Sequence, residues 1–183
     1  MNMKKYRITK YDPRYRDGQG RYLRDEWTSW CDIGRYFEDR VFTKDDYITW
    51  ENRYIQAVEK ILRDRNIEEL HIVDLEIPDV FSNNTKSLAE KELNLSEGAS
   101  ELYEMIVSGK RAILANDISD VMELLLRDFI WCRLCHGSET EIYTGYDYYM
   151  YYNGTELTEP VIKNIADTGL FIECEEEKGG ILA

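Results

Sequence analysis

Five large apolar residues recur at helical spacing directly behind a helix start signal, and this constrains the fold more than any other feature of the chain. Tyr47, Trp50, Tyr54, Val58 and Ile61 follow one another at three- and four-residue steps. That spacing puts all five on one helical face, which needs a partner surface to be buried against. Thr43 stands where a cap belongs, and Asp46 three residues later resembles a capping box with Asp in place of Glu. The pattern predicts a helix over 44–64.

The remaining elements mix types. Tyr6 to Tyr11 alternates large and charged residues, as a half-buried strand does. Asp12-Pro13 and Asp17-Gly18-Gln19-Gly20 carry turn chemistry, so 12–24 reads as an ordered loop. Trp27 to Trp30 reads as extended, with Asp32 capping a short helix over 33–37. Leu70 to Ile77 alternates again, with Leu70, Ile72 and Asp74 facing one way, until Pro78 ends it. A polar loop is expected at 82–86. Helices follow over 96–107 and from an Asn116 or Asp117 cap to Phe129, then a strand over 130–136 and a Gly137-Ser138 turn. A second extended run over 141–152 would close an antiparallel hairpin. Thr158-Glu159-Pro160 opens a last helix, and Leu170 to Cys174 reads as a final strand. No βαβ rhythm and no linker is visible. The expected fold is a single α+β domain over 1–183, an antiparallel sheet with helices packed mainly on one face.

Charge narrows the partner. The chain of 183 residues carries a net −13, yet residues 1–30 sum to +4 and the other 153 to −17. With 14 Tyr, 5 Phe and 4 Trp it is too aromatic for wholesale disorder. The acidic balance argues against nucleic acid as a partner and favours a basic protein. No apolar run is long enough for a membrane span or an export signal, so the cytoplasm is the expected location and the four cysteines are expected as free thiols. The acidic helix faces (Asp45, Asp46, Glu51, Glu59; Glu90, Glu92, Glu97, Glu101, Glu104) read as solvated surface.

Several motifs carry possible chemistry. Cys132-Arg133-Leu134-Cys135-His136 matches the literal haem-attachment pattern, and its first four residues match a dithiol motif. Both need the sulfurs on one side, whereas a strand puts Cys132 and Cys135 on opposite faces. As zinc ligands these residues lack a fourth, since neither Cys31 nor Cys174 belongs to a second pair. Asp74 and Glu76 share a strand face, as in a metal-dependent nuclease, but the lysine that completes such sites does not follow. No catalytic residue, metal or cofactor is therefore expected.

The most unusual stretch is 141–152, where six tyrosines fall within ten residues. Read as one strand, it puts Tyr146, Tyr148, Met150 and Tyr152 on one face and Tyr143, Gly145, Asp147, Tyr149 and Tyr151 on the other. Tyrosine brings large contact area at low entropic cost. Glu139, Glu141, Asp147, Tyr149 and Tyr151 are accordingly the expected partner-binding residues.

Tyr6-Arg7-Ile8-Thr9-Lys10-Tyr11-Asp12-Pro13, then Asp25-Glu26-Trp27-Thr28-Ser29 with Asp32-Ile33-Gly34, then Gly145 to Tyr151 and Gly169-Leu170-Phe171-Ile172-Glu173, together resemble the small acidic immunity proteins of bacterial polymorphic toxin systems. The resemblance implies a cytosolic, non-catalytic protein that occludes a basic toxin domain, in many such systems a nuclease. Two other readings remain open. One is a small enzyme or ligand-binding protein with a tyrosine-lined pocket near Trp27 or Trp30. The other is an inhibitor of a bacterial defence system made by a mobile element.

Overall fold

A computed structural model describes residues 3–37, 39–78 and 93–175; the expected loop at 82–86, Glu90 and Glu92 lie outside them. The order of elements is β1 (Met3–Thr9), β2 (Tyr36–Phe37), β3 (Arg40–Val41), α1 (Lys44–Arg65), β4 (Glu69–Glu76), α2 (Glu97–Val107), β5 (Ala112–Leu114), α3 (Ile118–Leu126), β6 (Trp131–His136), β7 (Thr140–Thr144), β8 (Met150–Thr155), α4 (Glu159–Ala166) and β9 (Phe171–Glu175). Seven strands form one sheet in the order β5-β4-β6-β7-β8-β1-β9, and every pairing in it is antiparallel. The α+β class with an antiparallel sheet is as expected.

The register makes one continuous apolar face. Ile172, Ile8 and Met150 stand side by side across β9, β1 and β8. Tyr6, Tyr152, Ile142, Leu134 and Ile72 do the same from β1 through β8, β7 and β6 to β4, and Leu70 meets Ile113 on β5. Apart from Ile172, which is partly covered, all of these are buried, in one cluster with the apolar residues of the four helices. The opposite face carries charged and aromatic side chains, as an antiparallel sheet permits when one side meets water.

α1 forms as its sequence dictates. Thr43 Oγ1 accepts from the Asp46 N–H (3.1 Å), and the Thr43 N–H donates to the Asp46 carboxylate (3.0 Å). Asn66, in the left-handed region at φ 53°, ends the helix. Tyr47, Tyr54, Val58 and Ile61 are fully buried, while Trp50 is half-buried under the Arg53 guanidinium at 4.2 Å.

Glu51 corrects the reading of that helix's acids as solvated. It is only 3% exposed. Arg127, just beyond α3, bonds both of its carboxylate oxygens at 2.8 and 2.6 Å, bonds Glu123 at 2.7 Å and donates to the Asn94 carbonyl at 2.8 Å. Glu123 in turn accepts from the Ser96 N–H (2.8 Å), beside the cap of α2. One guanidinium thus ties together α1, α3 and the entry to α2.

Three other expectations give way to local geometry. The 27–37 segment has no strand at its start, and its helix is a single 3-10 turn at Trp30–Asp32, capped by Ser29. Gly34 at φ 91° then turns the chain into the β2–β3 hairpin. In β4 a bulge after Val73 holds Asp74 at φ 52° and turns it to solvent, away from the Leu70–Ile72 face. α3 stops at Leu126, short of Phe129, because Asp128 adopts φ 58°.

Removing the Arg127 charge leaves two carboxylates buried without a counter-charge. Arg127→Leu is expected to lower unfolding free energy by about 3–5 kcal/mol, read as a shift in the urea midpoint, with Glu101→Gln on the exposed side of α2 as an unaffected control.

Candidate functional site

The tyrosine-rich stretch is not one strand. β7 ends at Thr144, residues 145–149 form a tight corner with a 3-10 turn at Tyr146–Tyr148, and β8 returns from Met150. Period-two alternation cannot see this break, because Asp147 and Tyr148 each adopt positive φ (57° and 63°) and reset the pattern. Left-handed backbone is tolerated by Asp but is strained for Tyr. The strain is held by burial: the Tyr148 ring packs edge-on against Tyr54 (5.0 Å), Trp27 (4.9 Å) and Tyr47 (5.8 Å). Tyr54 Oη donates to the Tyr148 carbonyl (2.9 Å) and accepts from the Lys10 N–H (2.8 Å). Gly145 suits the corner, since a Cβ there would lie 2.9 Å from the Tyr151 ring and force it to shift.

The corner therefore stands on a rigid aromatic base and holds Tyr146 out, 93% exposed. Beside it lies a groove of about 800 Å³, open to solvent along one side and lined by Thr28 to Cys31, the ends of β4 and β6, Leu125, Leu126, Asp128 and the corner itself. Four carboxylates line it: Asp74, Glu76, Asp128 and Asp147. So do Trp30, Trp131, Tyr143, Tyr146 and Tyr148. Of the six non-glycine residues with positive φ among those described, Asp74, Asp128, Asp147 and Tyr148 line this groove.

The four acids differ in what already holds them. Asp128 accepts from both the Trp30 and Trp131 indoles (3.1 and 3.0 Å), so one carboxylate orients two aromatic walls. Burial pushes its pKa up, opposed by those two donors. Asp74 is taken by Arg133, which also binds Glu141. The side chains of Glu76 and Asp147 make no hydrogen bond or ion pair with the described residues, although the buried Lys10 ammonium lies near enough to Asp147 to feel its charge.

The predicted contact residues do not form one patch. Glu141 and Tyr151 share the open sheet face, where Tyr151 stacks on Tyr143 at 5.1 Å beneath Lys5. Tyr149 is covered by Arg7 and Arg16, and Arg16 donates to its hydroxyl (3.1 Å). Asp147 belongs to the groove, and Glu139 lies in the β6–β7 turn at the other end of the hairpin. Sequence reading missed Trp131, Asp128 and Tyr146. The signal available was the clustering of aspartates next to aromatics at element ends.

The basic N-terminal segment folds back, mostly onto itself. Arg14 pairs with Asp12 and Arg21 with Asp17, while Arg7 and Arg16 both reach Glu173 on β9. Lys10 is turned inward, its side chain 1% exposed, with Nζ 3.0 Å from Glu26 and over the rings of Tyr11 (3.9 Å) and Trp27 (4.3 Å). Burial lowers its pKa to about 8, against the pull of Glu26.

The Cys132 and Cys135 side chains lie on opposite faces of β6, the first buried and the second half-buried. Burial pushes the Cys132 thiol up to about 12 and raises Cys135 as well, the reverse of a reactive dithiol. His71 and His136 sit at the end of the sheet away from the groove, with His136 Nδ1 2.9 Å from the Glu69 carbonyl. Among the described residues no helix is long and apolar enough to cross a membrane. No protein-family model matches the chain, and neither a curated protein nor a solved structure matches it.

Lys10 gives a pH test of the base under the corner. The folded state holds its proton less tightly than the unfolded chain does, so between about pH 8 and 10.5 the unfolded state binds the extra proton and stability rises with pH. At about 1.36 kcal/mol per unit, native protein should gain about 2 kcal/mol on Lys10→Met between pH 7 and 9.5. Urea unfolding of both at the two pH values checks it; other titrating groups cancel in the difference, and parallel pH profiles would contradict the buried ammonium.

Proposed function

We propose that this chain is a non-catalytic binding protein, of the immunity or inhibitor type, that docks a basic protein domain and occludes it. The observation that carries the reading is the groove, where two carboxylates with no counter-charge bonded to them among the described residues, Glu76 and Asp147, stand beside exposed aromatic rings. Exposed aromatics on a rigid base are the side chains that dominate protein interfaces. The excess of negative charge outside the N-terminal segment supplies long-range attraction to a basic cleft, which speeds encounter. A cleft built for phosphates is the natural counterpart, and the reading extends to a toxin nuclease or to a defence-system effector.

A second reading rests on volume. At about 800 Å³ the groove falls within the range of small-molecule sites, and its lining by Trp30, Tyr143, Tyr146 and Tyr148 suits an aromatic or cationic ligand.

The test takes whatever basic toxin domain the neighbouring genes encode. Co-expression is expected to protect cells from it, and the two purified proteins are expected to co-elute. Their association rate should fall about tenfold or more between low and high salt. A neighbouring toxin that kills despite this protein, with no complex formed, would refute the proposal.

A further inference from the structure

We infer that the groove reads an arginine side chain, held between Trp131 and the corner at 145–149 by Glu76 and Asp147. The inference rests on the binding-protein reading and names the group that the partner must present.

The register builds the subsite. Glu76 and Trp131 are direct partners across β4 and β6, so a carboxylate and an indole stand side by side on the open face of the sheet. On the other flank, the last β6–β7 pair is Arg133 with Tyr143, so Trp131 stands beyond it, where β7 gives way to the corner at Gly145. Gly145 has no side chain, and one added there would press on the Tyr151 ring. Trp131 therefore has a carboxylate on one flank and the corner on the other, and the residue stays 47% exposed. Asp128 grips the indole N–H at 3.0 Å, which fixes the ring's orientation without covering its face. Beyond Gly145 come Tyr146 and Asp147, also in the lining.

Charge then selects the occupant. Of the four groove carboxylates, Asp74 is neutralised by Arg133, and Asp128 is satisfied by two indole donors. Glu76 and Asp147 have no counter-charge bonded to them among the described residues, and they stand beside the two most exposed aromatics of the groove. An exposed ring with flanking carboxylates attracts a cation through the ring quadrupole and the charges together. A planar guanidinium meets both demands at once: its face stacks on the indole while its edges donate to carboxylates. A lysine ammonium offers only a point charge. Arg133 shows that the chemistry suits this surface, since its guanidinium already bridges Asp74 and Glu141 one pair of residues along the same strand. The rest of the groove has room for the residues on either side of the incoming arginine.

The probe is the blocked tripeptide acetyl-Gly-Arg-Gly-amide, with its lysine and citrulline counterparts, titrated while the Trp131 indole N–H resonance is followed. The arginine peptide is expected to shift that resonance saturably in the low millimolar range. The lysine peptide should bind about threefold to tenfold more weakly, and the neutral citrulline peptide should cause no saturable shift. Glu76→Gln and Asp147→Asn should each weaken arginine binding by about fivefold to tenfold, whereas Glu101→Gln with Glu104→Gln on α2 should leave it unchanged. Equal weakening by the α2 pair, or equal binding of citrulline, would overturn the subsite, because the first reports diffuse acidity and the second shape alone. The same variants against the neighbouring toxin domain separate the two levels. If that domain binds tightly while the peptide does not, the arginine subsite falls and the inhibitor reading stands. If the peptide binds but the domain does not, the reverse holds.

Discussion

The guanidinium of Arg127 is the interaction on which the helical layer depends. α1 presents Glu51 on the same face as Tyr47 and Tyr54, and α3 presents Glu123 toward the interior. Two carboxylates at those depths would repel each other and lose their hydration. Arg127 satisfies both, and its remaining donor reaches the Asn94 carbonyl just before α2. Three elements far apart in sequence are thereby held in one arrangement. A buried network of this kind specifies position more than it adds stability, and the positions it sets are those of Tyr47 and Tyr54.

From there the constraint passes to the candidate site. Tyr47 Oη donates to the Leu126 carbonyl (3.0 Å) at the end of α3, and Tyr54 Oη bridges Lys10 and Tyr148. Tyr148 can keep its strained backbone because the pocket of Tyr47, Tyr54 and Trp27 encloses its ring. With Tyr148 fixed, Tyr146 and Asp147 project at a set angle over the groove. A tip held on such a base would lose little freedom in any docking. The open sheet face, by contrast, is largely self-satisfied: Arg7, Arg16 and Glu173 pair with one another, as do Arg133 and Glu141.

Much of the framework was legible. α1 and α2 carry side-chain caps and α4 a first-turn proline, all three with apolar spacings that act within one turn, and β6 alternates throughout, as do β1 up to Ile8 and β4 up to its bulge. Misreadings arose where a single residue entered the left-handed region. Gly34, Asp74, Asp128 and Asp147 with Tyr148 each redirected a segment that had looked continuous. Aspartate advertises this freedom weakly, because the same residue also caps helices and decorates surfaces. Glu51 failed as a solvated residue for another reason: its partner, Arg127, is 76 positions away, beyond any local pattern.

The sequence by itself determined the class of fold, the helical layer over an antiparallel sheet, and the lopsided charge, because periodicity and composition act locally or in sum. Where the charges and aromatics meet was decided only by the tertiary structure. Trp30, Asp128 and Trp131 come together through a turn and two element ends, and Glu76 meets Trp131 through strand register. Tyr146 and Asp147 reach the same groove because a buried tyrosine breaks the strand between them and Tyr151. Proximity of that kind is set by chain topology and long-range packing, to which no window of neighbouring residues is sensitive.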